Sequence, residues 1–297
     1  MVVVFGSLNL DLVARVPRLP VPGETLLGSA FVMTPGGKGA NQALAARRAG
    51  AEVKLFGHVG ADALAAEALA LLEGSGVDLT GVTPIEEPTG VALIHVDPQG
   101  ENAITVVPGA NAAAGAAQVP DSALVPGNTL LMQLEVPLTE VAALARRARA
   151  RGARVVLNAA PAAALPPGLL DDVDVLLVNE TEAAALARDL GVDGMDALCR
   201  RVAESDDILV VTRGGAGVRY AAAGDITERA APRVSVVDTV GAGDAFAGAL
   251  AAALDRGADI DRAISEALAA GALACTRAGA QAALPLRDEI RALADRL

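Results

Sequence analysis

Short runs rich in valine, isoleucine and leucine recur along the chain, and most are followed by an alanine- and leucine-rich segment of helical length. The runs Val2–Phe5, Val53–Phe56, Leu130–Leu134, Arg154–Asn158, Asp174–Val178 and Ile208–Thr212 predict strands. The segments Lys38–Ala49, Asp62–Glu73, Thr139–Arg151, Thr181–Asp189, Met195–Glu204, Asp244–Arg256, Ile260–Cys275 and Arg287–Arg296 predict helices. A run such as Ile208-Leu-Val-Val has no polar alternation, as a strand covered on both faces requires. Strands of this kind interleaved with helices predict an α/β fold, a mostly parallel sheet with helices on both faces.

Two regions interrupt that rhythm. Residues 12–35 are punctuated by proline and glycine, and Gly90–Val96 and Ala103–Val107 read as two strands around the turn Asp97-Pro-Gln-Gly. Neither region carries a helix. They predict one small β appendage built from residues 12–35 and 90–107, set on an α/β body of residues 1–11, 36–89 and 108–297. A chain of 297 residues has room for one large domain with such an appendage.

Composition excludes several classes of partner. Apolar residues make up 53% but aromatics only 2%, so the core must be alanine, valine and leucine. The net charge of −12 repels nucleic acid and anionic membranes. Cys199 and Cys275 are too few for a disulfide framework or a zinc cluster and read as two buried thiols. His58 and His95 show no metal-ligand spacing. Residues 102–120 carry no charge, yet Pro108, Gly109, Asn111 and Gly115 break them, so they form no membrane helix. The opening Met-Val-Val-Val-Phe-Gly lacks signal-peptide features, and a cytoplasmic protein is expected.

The run Asp238-Thr-Val-Gly-Ala-Gly-Asp244 precedes an apolar helix. Unpaired N–H groups and the partial positive charge at a helix start attract anions, and glycines let the backbone come close. A carboxylate at such a hole makes sense if it takes a proton from an attacking hydroxyl while the hole stabilises a transferring phosphoryl group. Taken alone, the run equally fits an acidic N-cap flanked by turn glycines. A second glycine segment, Gly36-Gly-Lys38-Gly-Ala-Asn41, leads into the first helix. It lacks the G-x-x-x-x-G-K-[ST] pattern of a P-loop. Lysine is otherwise rare here, with only Lys54 besides Lys38.

These two segments, in this order and at this separation, resemble the paired signatures of the PfkB family of sugar and nucleoside kinases, and the resemblance spans the chain. It implies a ribokinase-like fold with the appendage as a lid over the sugar, adjacent lids pairing two subunits into a homodimer. It further implies ATP-dependent phosphorylation of a sugar's primary hydroxyl, O5 of D-ribose. The alternatives are a kinase for 2-deoxyribose, fructose or a nucleoside, or a sugar-binding regulator without catalysis. Asp244 is then the general base, and the N–H groups of Gly241, Ala242, Gly243 and Asp244 form the anion hole.

The remaining motifs take their places from the same resemblance. Asn9 and Asp11 follow the first strand two residues apart, so in an extended segment both side chains face one side. A carboxylate there suits a vicinal diol, though an Asx-type turn fits as well. In the family this N-x-D pair holds sugar hydroxyls, together with Gly37, Lys38, Asn41 and Glu135, the last in the context Met132-Gln-Leu-Glu135. Asn179-Glu-Thr-Glu182 matches an N-x-x-E motif that organises magnesium and the nucleotide phosphates, Glu182 indirectly. It also fits a helix capping box. Thr212-Arg213-Gly214-Gly215-Ala216-Gly217 resembles the family's nucleotide loop, and with Asn179 and Gly243 it would hold ATP. Asp238, Val240, Ala274, Arg277 and Gly279 align with a potassium site of mostly backbone carbonyls. Ala283 stands where serine is usual, which predicts weakened potassium activation.

Overall fold

The computed structural model describes residues 1–202 and 207–297. The chain begins β1 (Val2–Phe5), β2 (Asn9–Arg15), β3 (Ala30–Gly36), α1 (Lys38–Arg48), β4 (Val53–Gly60), α2 (Ala63–Glu73), β5 (Asp78–Ile85), β6 (Gly90–Val96) and β7 (Asn102–Val107). It continues β8 (Thr129–Met132), α3 (Leu138–Ala150), β9 (Arg154–Asn158), β10 (Val175–Asn179), α4 (Glu180–Asp189), α5 (Met195–Val202) and β11 (Ile208–Thr212). It closes with β12 (Val218–Ala222), β13 (Asp225–Arg229), α6 (Ala242–Asp255), α7 (Ile260–Ala274) and α8 (Arg287–Ala294).

Nine strands form the main sheet in the order β13-β12-β11-β10-β9-β8-β1-β4-β5, parallel from β11 to β5. Strand residues alternate between two cores. Val2 and Val4 of β1 face α1, α6 and α7, while Val3 and Phe5 face the side packed by α3, α4 and α5. With aromatics scarce, small residues do the packing. Gly248 of α6 lies so close to α1 that an added Cβ would stand 2.5 Å from the Ala45 Cβ and 2.6 Å from the Gln42 carbonyl oxygen. Close-packed helix backbones of this kind leave no slack in the elements they carry.

A second sheet, in the order β3-β2-β6-β7, is built around the two interrupting regions, but β2 begins at Asn9 and β3 ends at Gly36, so the sheet takes in residues 9–11 and 36, expected in the body. Strand β2 pairs antiparallel with β3 and parallel with β6, and β6 pairs antiparallel with β7. This is an α/β fold, a large mostly parallel sheet between two helical layers with a small separate sheet.

The differences from expectation are local. Strand β8 ends at Met132, not Leu134, so Glu135 lies three residues beyond the strand. Helix α6 starts at Ala242 because Gly241 caps it in the left-handed region at φ 77°, which puts Asp244 inside the first turn. Strands β5, β12 and β13 carry too much polarity or glycine to stand out by pattern. β12 and β13 join antiparallel through Ala223 and Gly224, both at positive φ. The expected helix at Met195–Glu204 is seen as α5 through Val202, and its last two residues lie outside the described ones. Cys199 is buried, but Cys275 is only half-buried. No helix among the described residues is long and apolar enough to cross a membrane.

Candidate active site

In the register of the main sheet Phe5 pairs with Met132 on one side and Phe56 on the other, so β1 and β8 end side by side. Past these carboxyl ends the chain departs in different directions, the place where open α/β sheets form a crevice. Ser7 leaves from β1 and Glu135 from β8. The Ser7 hydroxyl donates to Glu135 Oε2 at 2.5 Å, and the Lys38 backbone N–H donates to the same oxygen at 3.0 Å. Helix α1 starts against this turn. A Cβ on Gly39 would lie 2.5 Å from the Gly6 carbonyl carbon and from Ser7 N, so only glycine permits the approach. Gly37, at φ 87°, caps α1.

Asn9 and Asp11 open β2, two residues apart on the strand. Asn9 is buried, and its Oδ1 accepts from Asn111 Nδ2 at 2.7 Å. Asn111 also takes the Leu8 N–H on its Oδ1 at 2.8 Å and donates to the Leu8 carbonyl at 3.1 Å. It therefore latches the loop after β7 to the start of β2. The Asp11 carboxylate lies where a Cβ on Gly36 would stand. Burial first, then the Glu135 and Asp244 carboxylates, push Asp11 up to about 7, with Lys38 acting the other way. The Asp244 carboxylate, with Glu135, Glu182 and Asp11 beyond it, holds the Lys38 ammonium above its ordinary range against the opposing effect of burial. Four carboxylates thus act on one ammonium.

Asp244 is only 7% exposed. Its Oδ2 accepts from Asn41 Nδ2 at 2.9 Å and its Oδ1 from Gln42 Nε2 at 2.8 Å. Both donors come from α1, held by the Gly248 contact. The start of α6 has no side-chain cap. Its first-turn N–H groups thus lie beside a fixed carboxylate, in a helix whose dipole favours an incoming anion.

On the neighbouring strands, Asn179 ends β10 and pairs in register with Thr212, which ends β11. Asn179 and Glu182 form the capping box of α4, with the Glu182 N–H donating to Asn179 Oδ1 and the Asn179 N–H to Glu182 Oε2, both at 2.8 Å. Burial raises Glu182 above the usual carboxylate range, opposed by the Asn179 N–H and by Lys38. The Thr212 hydroxyl donates to the Val178 carbonyl at 3.3 Å. Arg213 pairs with Glu180 and Glu228. Gly214, Gly215 and Ala216 form an exposed turn, and Gly217 is pinned against the Arg229 carbonyl.

The Asp238 carboxylate takes the N–H groups of Val240 at 3.0 Å and Gly279 at 2.9 Å. This stitches residues 238–240 to 277–279, bringing Asp238, Val240, Arg277 and Gly279 together beside Ala274, whose carbonyl accepts the Arg277 N–H at 3.3 Å. Ala283 is fully buried nearby in sequence. Gly241 packs on the same segment, with its added Cβ 2.9 Å from the Ala280 Cα. Among the described residues no group of three or more histidine, cysteine or acidic side chains could itself cage a metal ion.

Ser7, Gln42, Gln133 and Asn111 were not legible as site residues. Each is a neutral side chain inside an apolar or glycine-rich segment, and only its buried partner reveals it.

Residues 1–287 match the family described as pfkB family carbohydrate kinase. The chain is similar to the ribokinase of Haemophilus influenzae, 37% identical over 292 residues that cover 96% of this chain and 95% of the relative. The crystal structure of the Thermotoga maritima ribokinase superposes with a TM-score of 0.92 at 32% identity, covering 99% of both chains. The Arabidopsis thaliana ribokinase, solved in complex with ribose and ATP, superposes with a TM-score of 0.87 at 30% identity over 99% of this chain and 98% of that one. The chain belongs to the pfkB family of carbohydrate kinases.

Proposed function

We propose that this family member transfers the γ-phosphoryl group of ATP to the O5 hydroxyl of D-ribose, giving ribose 5-phosphate and ADP. The observation that carries the reading is Asp244, a buried carboxylate held by an amide on each oxygen at the start of α6, which has no side-chain cap. A base placed there takes the hydroxyl proton as the oxygen attacks the γ-phosphorus. The N–H groups of Gly241, Gly243 and Asp244 would face the charge that develops on the phosphoryl oxygens, while the Ala242 N–H donates to the Thr239 carbonyl at 3.3 Å and must leave it to join them.

Asn9, Asp11, Gly37, Lys38, Asn41 and Glu135 hold the sugar in this account. Asn41 Oδ1 is buried without a partner, an acceptor waiting for a hydroxyl. Glu135 Oε2 already takes two donors, leaving Oε1 for the ligand. Asn179, Thr212 to Gly217 and Gly243 hold the nucleotide. Bound magnesium would neutralise the phosphates, with Glu182 acting through water rather than as a ligand. The stitched segments at Asp238–Val240 and Arg277–Gly279, with Ala274, suit a monovalent cation held mainly by carbonyls, and they buttress the anion hole through Gly241.

Residues 12–35 and 90–107 form the lid in this reading, closing over the sugar to exclude water that would otherwise take the phosphoryl group. In the strand register Phe31 (62% exposed), Met33 (48% exposed) and Leu93 (40% exposed) share the face of the small sheet opposite Asp11, an apolar surface through which two lids would pair as a homodimer. A cytoplasmic location fits a consumer of ATP.

The test is ADP release with ATP, magnesium and potassium across ribose, 2-deoxyribose, fructose and adenosine. Preference for ribose supports the proposal. Preference for another acceptor moves the specificity and keeps the chemistry. ATP-independent sugar binding with no ADP release from any acceptor favours a non-catalytic regulator.

A further inference from the structure

The base has a supporting chain of amides behind it. Asp244 Oδ1 accepts from Gln42 Nε2 at 2.8 Å, and Gln42 Oε1 accepts from Gln133 Nε2 at 2.7 Å. Gln42 and Gln133 are both fully buried. An ionised carboxylate only accepts, so Gln42 must turn its NH₂ toward Asp244. Its carbonyl then faces Gln133, which must turn its own NH₂ inward. The orientation of all three groups follows from the one negative charge. Gln133 Oε1, left without a donor, rests against Gly6 at the end of β1, where any Cβ would collide with it. The chain therefore runs from the ends of β1 and β8 through α1 to the first turn of α6, four elements locked to one carboxylate.

We propose that Gln42 and Gln133 are positioning residues for phosphoryl transfer. Gln42 fixes the plane of the Asp244 carboxylate together with Asn41 on the other oxygen, and Gln133 stops the Gln42 amide from turning over. A reversed Gln42 would put a carbonyl against a carboxylate and drive it out of line. Neither residue is exposed to the crevice where the ligands would sit. This rests on Asp244 being the base.

The test uses Gln42→Met and Gln133→Met, which keep side-chain length without a donor, and the two together, each also in an Asp244→Asn background. Misplacing a reacting group by about 1 Å costs on the order of a hundredfold. Gln42→Met is accordingly expected to lower kcat about ten- to a hundredfold, with KM for sugar and ATP within about threefold of wild type. Gln133→Met lowers kcat less, and the double variant is no worse than Gln42→Met alone, because Gln133 acts only through Gln42. In the Asp244→Asn background neither substitution reduces the residual turnover further. A kcat unchanged in both folded variants, or losses that persist undiminished without Asp244, overturns the relay while Asp244→Asn itself stays inactive. High turnover in Asp244→Asn removes the base and the relay with it. Should Gln42→Met not fold, Gln133→Met decides the question, since it leaves both donors to Asp244 in place.

Discussion

Asp11 carries a stability cost whose size and sign follow from its surroundings. Burial and the neighbouring Glu135 and Asp244 carboxylates raise it from 3.8 to about 7. Between those two values the folded chain keeps a proton that the unfolded chain releases, so stability falls as pH rises through that window. The group's contribution is fully present below 3.8 and is lost as pH passes about 7. At ~1.36 kcal/mol per unit the whole shift amounts to about 4 kcal/mol, reduced by the partial solvent contact of the group to roughly 2–4 kcal/mol. Asparagine has the same shape and never ionises. Asp11→Asn is therefore expected to stabilise the ligand-free chain, by about 2–4 kcal/mol at pH 8 and by less at pH 5. Urea unfolding of both proteins at a series of pH values, without sugar or nucleotide, measures the gap. A gap that stays constant from pH 5 to pH 8, or narrows with rising pH, refutes the reasoning. Under the proposed sugar-binding role of Asp11, the same substitution removes an acceptor, and sugar-dependent turnover is expected to fall while stability rises.

Gly248→Ala forces a methyl group to 2.5 Å from the Ala45 Cβ and 2.7 Å from Ala46 N. Overpacking of this kind costs about 1–3 kcal/mol, and because α1 carries Asn41 and Gln42, kcat falls along with the melting temperature. A variant with wild-type melting and turnover would show that the contact between α1 and α6 does not set the base. Pairing through the lids is checked by sedimentation of the wild type against Phe31→Glu. Dimer in the first and monomer in the second is the expected pattern, and a monomeric wild type at working concentration contradicts it.

The sequence carried the architecture of the body because its strands are unbroken apolar runs. Val2–Phe5 and Ile208–Thr212 were legible to the residue. The edge hairpin of β12 and β13 was not, since exposed edge strands mix charge with apolar residues, as Asp225-Ile-Thr-Glu-Arg does. Strand β2, an inner strand of the small sheet, carries Asn9 and Asp11 among its apolar residues and was legible only as an extended segment. Within the site, charged and glycine-flanked residues announced themselves. Lys38 and Asp244 stood out by rarity and context, and the structure brings them together. Gln42, Gln133, Ser7 and Asn111 did not, because a buried amide or hydroxyl is identified by its partner, and partners such as Gln133 and Gln42 are separated by 91 residues. The motif Asn179-x-x-Glu182 supported two readings, and its capping hydrogen bonds are present without deciding the nucleotide role.

The central claim is that Asp244 takes the hydroxyl proton during phosphoryl transfer. Asp244→Asn retains an acceptor and a shape that Asn41 and Gln42 can still surround. The measurement is sugar-dependent ADP release by this variant, alongside calorimetric binding of sugar and of ATP to the same protein. The account predicts that both ligands still bind while turnover falls about 10²–10⁴-fold. Turnover within a few-fold of wild type, with binding intact, would contradict it.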